Sequence, residues 1–216
     1  MKKISCILLL CISSASLNAQ VLTNITFGSL QDATSGALWH DNDFNSLDSG
    51  DGLLAIGYFE VTPSSFLPTA STFDDFIVLA DSSSFGSPVS GFLRVEAPNV
   101  DITDAVGIIP YVALFTGITD FENIEDATGF GLFQDSSWDS LQGAEPPTPT
   151  PDLFYNFGPD SISDVLIGSE IADATVSGDT DSGFGYTTAI PEPSTYAAIF
   201  GLGVLGFVVL RRKFTK

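Results

Sequence analysis

The sequence predicts a mainly β protein: a β-sandwich or jelly-roll-like ectodomain with one short helix, followed by one C-terminal transmembrane helix. Short runs rich in Val, Ile, Leu and Phe are separated by clusters of Asp, Gly and Ser, which is typical of strands joined by tight turns. Asp also outnumbers Glu, and Asp suits turns whereas Glu suits helix interiors. One apolar run near the C-terminus is long enough to indicate a helix.

The predicted strands share a high content of apolar and β-branched residues and are bounded by turn residues. Pro110 lies inside the longest run and predicts a break, a bulge or an edge position, because proline donates no hydrogen bond to a sheet. The predicted strands are Val21 to Phe27, Leu53 to Val61, Gly91 to Val95, Ala105 to Phe115, Gly129 to Phe133 and Val165 to Ile167.

One segment fits two structures. Phe73, Phe76, Ile77 and Ala80 have helical spacing, which favours a short helix, although Phe76 to Leu79 also fits a buried strand.

Residues 20–175 form the predicted ectodomain. Residues 176–189, rich in Ser, Gly, Asp and Thr, are predicted to form a flexible tether.

The N-terminal residues 1–19 have the organisation of a secretory signal peptide. Lys2 and Lys3 precede an apolar run, and small and polar residues end at Ala19, which predicts Gln20 as the first residue of the mature chain. This layout implies export by the Sec machinery. Both cysteines, Cys6 and Cys11, lie inside this segment, so the mature chain has no thiol for a disulfide or a catalytic nucleophile.

Charge is distributed unevenly along the chain, whose formal net charge is -20. Arg94 is the single Lys or Arg between Gln20 and Pro191, and that stretch contains every acidic residue except Glu192. An acidic surface without basic patches argues against nucleic acid as a partner and favours solubility and cations.

The apolar run from 196 to 210 is followed at once by Arg211, Arg212 and Lys213. Fifteen residues of helix extend about 22 Å, and Tyr196 and the basic side chains at the two ends could bridge the remaining bilayer thickness. The basic cluster predicts a cytoplasmic C-terminus with the acidic ectodomain outside.

Pro191, Glu192 and Pro193 precede this apolar run, Ser194 and Thr195 follow them, and the predicted helix and the basic end complete residues 190–216. With its parts in this order, the end of the chain resembles the PEP-CTERM sorting signal of exopolysaccharide-producing bacteria. The resemblance implies processing by an exosortase, a membrane transpeptidase-like cysteine enzyme, and a destination at the cell surface, in the extracellular matrix or in a biofilm. It implies nothing about the ectodomain, because such tails follow unrelated domains. A plain membrane anchor would need the span and the basic end but not the Pro-Glu-Pro segment.

Candidate catalytic and metal-binding residues are few. His40 is the single histidine, so any Ser-His-Asp site would have to use it, and no G-x-S-x-G motif is present. No catalytic residue and no cofactor is assigned. An oxygen-rich loop remains a candidate calcium site, although it lacks the glycine and the bidentate glutamate of an EF-hand loop. Its residues are Asp41, Asp43, Asn45, Asp48 and Asp51.

Two functions fit these observations. The first is a non-enzymatic surface or matrix protein, retained in or released to an extracellular polysaccharide layer. The second is a domain that binds or cleaves carbohydrate, with Trp39, Trp138 and exposed tyrosines as stacking platforms and a pair of carboxylates for hydrolysis. The glutamates available for that pair are Glu60, Glu96, Glu122, Glu125 and Glu170.

Overall fold

The prediction of a mainly β protein is confirmed. A computed structural model describes residues 20–28, 38–86, 91, 93–156, 164–175 and 182–190. It is 45% strand and 7% helix. Residues 1–19 and 191–216, which include the predicted signal peptide and transmembrane helix, lie outside the described residues.

The described residues form eleven strands and two 3₁₀ helices, at Ala70–Phe73 and Phe121–Asp126. The strands are β1 (Leu22–Gly28), β2 (Leu38–His40), β3 (Gly52–Phe59), β4 (Phe76–Ser82), β5 (Arg94–Asp101), β6 (Tyr111–Thr116), β7 (Gly129–Gln134), β8 (Asp152–Asn156), β9 (Asp164–Ile167), β10 (Ser169–Thr175) and β11 (Ser182–Thr187).

The strands pair into one large and two small sheets. The large sheet is antiparallel throughout and has the order β4-β3-β6-β7-β9. In the sheet β5-β1-β8, β1 is antiparallel to β5 and parallel to β8. In the sheet β10-β11-β2, β11 is antiparallel to β10 and parallel to β2.

The large sheet is covered on both faces, which explains why its central strand β3 is a continuous apolar run rather than an alternating one. All eight residues of β3 are buried. Leu54, Ile56 and Tyr58 pack in one cluster with side chains from the two small sheets, among them Ile25, Phe27, Trp39, Tyr155 and Tyr186. Leu53, Ala55 and Phe59 pack in a second cluster on the opposite face.

Phenylalanines supply most of the second cluster. Phe73, at the end of the first 3₁₀ helix, lies 4.9 Å from the ring of Phe115 in a T-shaped contact and stacks on Phe130 at 5.8 Å. Phe59 contacts Phe76 edge-on at 5.0 Å. Aromatic rings bury more area per side chain than aliphatic ones, so few residues suffice to close this face.

The short helix predicted over residues 73–80 is wrong, and the strand alternative is correct from Phe76 onward. A bulge explains the misleading spacing, because Ile56 pairs with Ala80 whereas Gly57 pairs with Val78. Leu79 is the extra residue. Phe76 and Val78 face the second cluster, whereas Leu79 and Ala80 both pack against the first, so the alternation breaks at the bulge. A Cβ on Gly57 would lie 2.2 Å from the carbonyl oxygen of Ile77, so this close approach requires glycine.

The predicted strand from Ala105 to Phe115 is shorter than expected. β6 begins at Tyr111, immediately after Pro110, which confirms the break predicted from the proline. The strand predicted at Gly91 to Val95 begins later, as β5 at Arg94. β5 includes Pro98, which the sheet tolerates because β5 is an edge strand.

The segment 176–189 was predicted to be a flexible tether, but residues 182–189 belong to the fold. β11 lies between β10 and β2, and the ring of Tyr186 packs against Trp39 at 5.5 Å and Phe133 at 5.2 Å. The Ser, Gly, Asp and Thr content of this segment indicates a linker, but a strand that is paired on both sides needs few apolar residues of its own. Residues 176–181 lie outside the described residues.

Replacing Tyr186 tests whether β11 is part of the folded domain. Tyr186→Ala should lower the free energy of unfolding by about 3–5 kcal/mol, because it removes a buried aromatic ring from the core. Phe154→Ala is the matched control on β8, since Phe154 is 64% exposed, and it should change stability by about 0.5 kcal/mol or less. Urea unfolding followed by tryptophan fluorescence measures both. A flexible tether would make the two variants equivalent.

Candidate functional site

The described chain leaves the fold at Ala189 and Ile190. Ala189 is paired with Phe130 of β7: the amide of Phe130 donates to the carbonyl oxygen of Ala189 at 2.9 Å, and the amide of Ala189 donates back at 2.8 Å. Ile190 follows and is 54% exposed. The predicted sorting residues Pro191, Glu192, Pro193, Ser194 and Thr195, the span 196–210 and the basic residues Arg211, Arg212 and Lys213 lie outside the described residues.

An open cavity of about 510 Å³ lies beside this exit. Ile190 forms part of its wall, and Thr116, Gly117 and Thr128 come from the neighbouring ends of β6 and β7. The loop after β2 supplies most of the remaining wall, namely Asp41, Asn42, Asp43, Asn45, Ser46, Leu47 and Asp51. The exit and the cavity form one surface, which we call the exit face.

The loop after β2 is organised by the Asp41 carboxylate. One carboxylate oxygen accepts hydrogen bonds from the amides of Asp43 and Asn45, each at 2.8 Å, and the other accepts from the Asn45 side-chain amide at 2.9 Å. A second turn is held by Asp51, whose carboxylate accepts from the amide of Asp48 at 2.9 Å. The contact of Asp41 with the amide of Asp43 is an Asx turn, which Asp favours, whereas Asp51 accepts from the amide three residues before it.

The structure brings together four of the five residues predicted to hold calcium. Asp41, Asp43, Asn45 and Asp51 line the same cavity, whereas Asp48 is not among its lining residues. However, within the described part of the chain, no group of three or more His, Cys, Asp or Glu side chains is placed to hold a metal ion. The calcium site stays a prediction.

His40 is buried at the end of β2 and contacts Ser46 across the loop. Its Nδ1 lies 3.3 Å from the carbonyl oxygen of Leu38, and its Nε2 lies 3.2 Å from Ser46 Oγ. Because a carbonyl oxygen can only accept, Nδ1 carries the proton in the neutral ring, and Nε2 accepts from the serine hydroxyl. Burial lowers the pKa of His40, although the Leu38 carbonyl and the Asp41 charge oppose that shift.

The Ser46–His40 pair is best understood as a structural contact. The two residues face each other in an antiparallel bridge, which places their side chains on the same side. A nucleophilic serine would also need donors for a developing oxyanion, but Asp41, Asp43 and Asp51 line the same cavity. Their negative charges would oppose an anionic transition state.

The tryptophans proposed as carbohydrate platforms do not fit that role. Trp39 is fully buried between Phe133 and Tyr186, and Trp138 packs edge-on against Tyr155 at 5.6 Å. Tyr58, Tyr155 and Tyr186 are buried as well. A stacking platform needs an exposed ring face, so the aromatic argument for carbohydrate binding fails at these positions.

The candidate glutamates are spread over four parts of the fold, and Glu122 and Glu125 share one of them. Glu60 lines a cavity of about 270 Å³ with Tyr58 and Asp104. Glu96 forms an ion pair with Arg94 on β5 at 2.7 Å. Glu122 and Glu125 are exposed on the second 3₁₀ helix, and Glu170 is exposed on β10. Sequence could not show this separation, because it depends on which strands are neighbours.

Replacing His40 tests its protonation state. Because the folded pKa lies below the ordinary value of 6.5, protons bind the unfolded chain more tightly, and the stability that His40 contributes is lost as the pH falls through this range. The difference in unfolding free energy between wild type and His40→Gln should therefore shrink between about pH 7.5 and about pH 5.5. Carboxylate titration affects both proteins alike and cancels in the difference. A constant difference would mean that the pKa of His40 is not lowered.

The comparisons with known proteins concern the exit and the residues after it. No helix in the described part of the chain has the length and hydrophobicity that crossing a bilayer requires. No curated protein and no solved structure matches the chain. Residues 189–213 match the family described as the PEP-CTERM protein-sorting motif, which implies an exosortase as processing partner, export and a cell-surface destination. The chain therefore carries a PEP-CTERM protein-sorting motif, and this motif begins at the residue that β7 holds in the fold.

Proposed function

We propose that this chain is a non-enzymatic surface or extracellular-matrix protein that an exosortase sorts and processes, and that its acidic domain is retained in or released to an extracellular polysaccharide layer. The observation that carries the proposal is the sorting motif at residues 189–213, joined directly to a folded β domain. The motif supports the sorting step. The proposal that the domain is a passenger, meaning an exported domain without catalytic activity, is argued from the domain itself.

The domain has the properties of a passenger rather than of an enzyme. We class it as a β-sandwich, because one face of the five-stranded sheet packs against strands of the two smaller sheets. The histidine contacts Ser46 inside the fold, the tryptophans are in the core, and the candidate glutamates are spread over four parts of the fold. A surface dominated by carboxylates keeps such a domain soluble and hydrated outside the cell.

The two ends of the chain supply the topology. Residues 1–19 act as a signal peptide, and residues 196–210 anchor the protein in the membrane until processing, with Arg211 to Lys213 on the cytoplasmic side. The fold agrees with cleavage after Ala19, since the amide of Val21 donates to Thr103 Oγ1 at 2.9 Å and β1 begins at Leu22. Such cleavage leaves the whole of β1 in the mature chain.

The mature N-terminus should lie at or near Gln20. Cleavage there removes the apolar run but keeps Gln20, whose side-chain amide donates to Asp101 at 2.8 Å. N-terminal sequencing or terminal-peptide mass spectrometry of the exported protein measures this directly. Recovery of Met1 on the exported protein would contradict the proposed signal peptide.

Replacing the sorting residues tests the processing step. In the variant with Pro191, Glu192 and Pro193 changed to alanine, export should continue, but an unprocessed, membrane-bound form that retains Arg211 to Lys216 should accumulate. The wild-type mature form should lack these residues, as measured by intact mass in the native host.

The matched control changes Glu145 and Pro149 to alanine, because these residues lie in an exposed turn far along the chain from the motif. This control should be processed like wild type, so its mature mass should differ from that of the mature wild type only by the two substitutions. Quantitative retention of Lys216 by wild type would replace the sorting proposal with a plain membrane anchor.

A further inference from the structure

The sorting motif overlaps the folded domain. Its match begins at Ala189, yet Ala189 is paired with Phe130 of β7 through two backbone hydrogen bonds. On the basis of the proposed function, we propose that exosortase processing requires residues 187–190 to detach from the domain first, so that the end of β11 acts as a gate on the sorting signal.

Several contacts hold this gate closed. Thr187 pairs with His40 of β2 and with Ser169 of β10, and its hydroxyl donates to the carbonyl oxygen of Asp41. Thr188 is buried, and Ala189 packs against the second hydrophobic cluster. The backbone is therefore held on both sides at Thr187 and by Phe130 of β7 at Ala189, two residues before Pro191.

The short reach of the chain makes this pairing an obstacle. Only Ile190 lies between Ala189 and Pro191, so Pro191 lies at most about 7 Å from the last paired residue. A domain of this size has a radius of gyration of about 15 Å. An enzyme cleft that encloses Pro191, Glu192 and Pro193 therefore has to approach within about 7 Å of Ala189, which is paired inside the domain.

Backbone hydrogen bonding adds to the steric problem. Enzymes that bind an extended peptide commonly use its backbone amides and carbonyls, as an added strand does. The amide and the carbonyl of Ala189 are already engaged by Phe130. Detachment frees these groups and lengthens the accessible peptide before Pro191 from one residue to four.

Local opening of this kind sets the rate of an enzyme that acts only on the open form. When opening and closing are fast, the processing rate follows the open population. A flexible spacer inserted after Ala189 should let the enzyme reach the motif without any opening of the domain. Weakening the pairing between Ala189 and Phe130 should instead raise the population of the open form.

The test inserts a Gly-Ser spacer of about eight residues between Ile190 and Pro191 in the full-length protein, expressed in its native host. Pulse-chase labelling with intact-mass detection then measures the processing rate. We expect processing at least about fivefold to thirtyfold faster than wild type, since the two hydrogen bonds of Ala189 alone correspond to that range and the contacts of Thr187 add to it. The control carries the same insert between Ser64 and Ser65, two exposed residues between β3 and the first 3₁₀ helix, and should match wild type. An unchanged or slower rate for the exit spacer overturns the proposal.

A second variant separates gating from direct recognition of residue 189. Ala189→Pro removes the amide that donates to Phe130, so it should speed processing of the chain without the spacer and have no effect when the spacer is present. An equal effect in both backgrounds would mean that the enzyme reads residue 189 itself, and the gate would be rejected. If wild type and all variants retain Lys216, the proposed function fails; if wild type is processed but the spacer has no effect, only the gate fails.

Discussion

The burial of both faces of the five-stranded sheet is the constraint on which the rest of this structure depends. A sheet with two apolar faces needs a cover on each, and no disulfide can help, because both cysteines lie within residues 1–19. The two small sheets cover one face, and the segments around the 3₁₀ helices cover the other with phenylalanine rings. The arrangement of strands meets this need. Within the large sheet β4 and β6 flank β3, and residues of β1, β2, β8 and β11 pack on one face of that sheet.

The acidic composition makes that apolar core more important. Carboxylates outnumber cationic groups so strongly that charge pairs contribute little to stability. The ion pair between Arg94 and Glu96 is between side chains that are 50% and 67% exposed, and exposed pairs of this kind are worth at most about 1 kcal/mol. Mutual repulsion of the carboxylates opposes compaction, so hydrophobic burial must offset it. The Asp residues of the loop after β2 contribute locally instead, by accepting backbone hydrogen bonds within their own turns.

A strand could be predicted from the sequence where its own residues determine it, but not where its pairing partners do. β3 and β7 were predicted because their own residues are apolar and bounded by turns. β4 was misassigned because the bulge at Leu79 interrupts its alternation, and that bulge depends on the pairing with β3. β11 was missed because its order comes from β10, β2 and the ring of Trp39, all distant or unpredicted partners.

The same distinction applies to the candidate site. A sorting motif is read by an enzyme as a linear segment, so Pro191, Glu192 and Pro193 were visible in the sequence alone. The exit face was not, since it forms only where the loop after β2 meets the ends of β6 and β7. The overlap of motif and fold could not be predicted either, because residues 182–189 look like a linker in composition.

The close connection between domain and motif also limits where the domain can lie before processing. From Ala189 to Tyr196, where the proposed span begins, an extended chain reaches at most about 25 Å. On the proposed topology the exit face, with Asp41, Asp43 and Asp51, is therefore held near the bilayer surface. Anionic headgroups repel carboxylates within about one Debye length, roughly 8 Å at physiological ionic strength. This repulsion acts over a shorter distance than the chain can reach, so the domain can lie beyond it without tension on the pairing between Ala189 and Phe130. On that topology, chain length limits how far the exit face lies from the bilayer, and charge limits how closely it approaches.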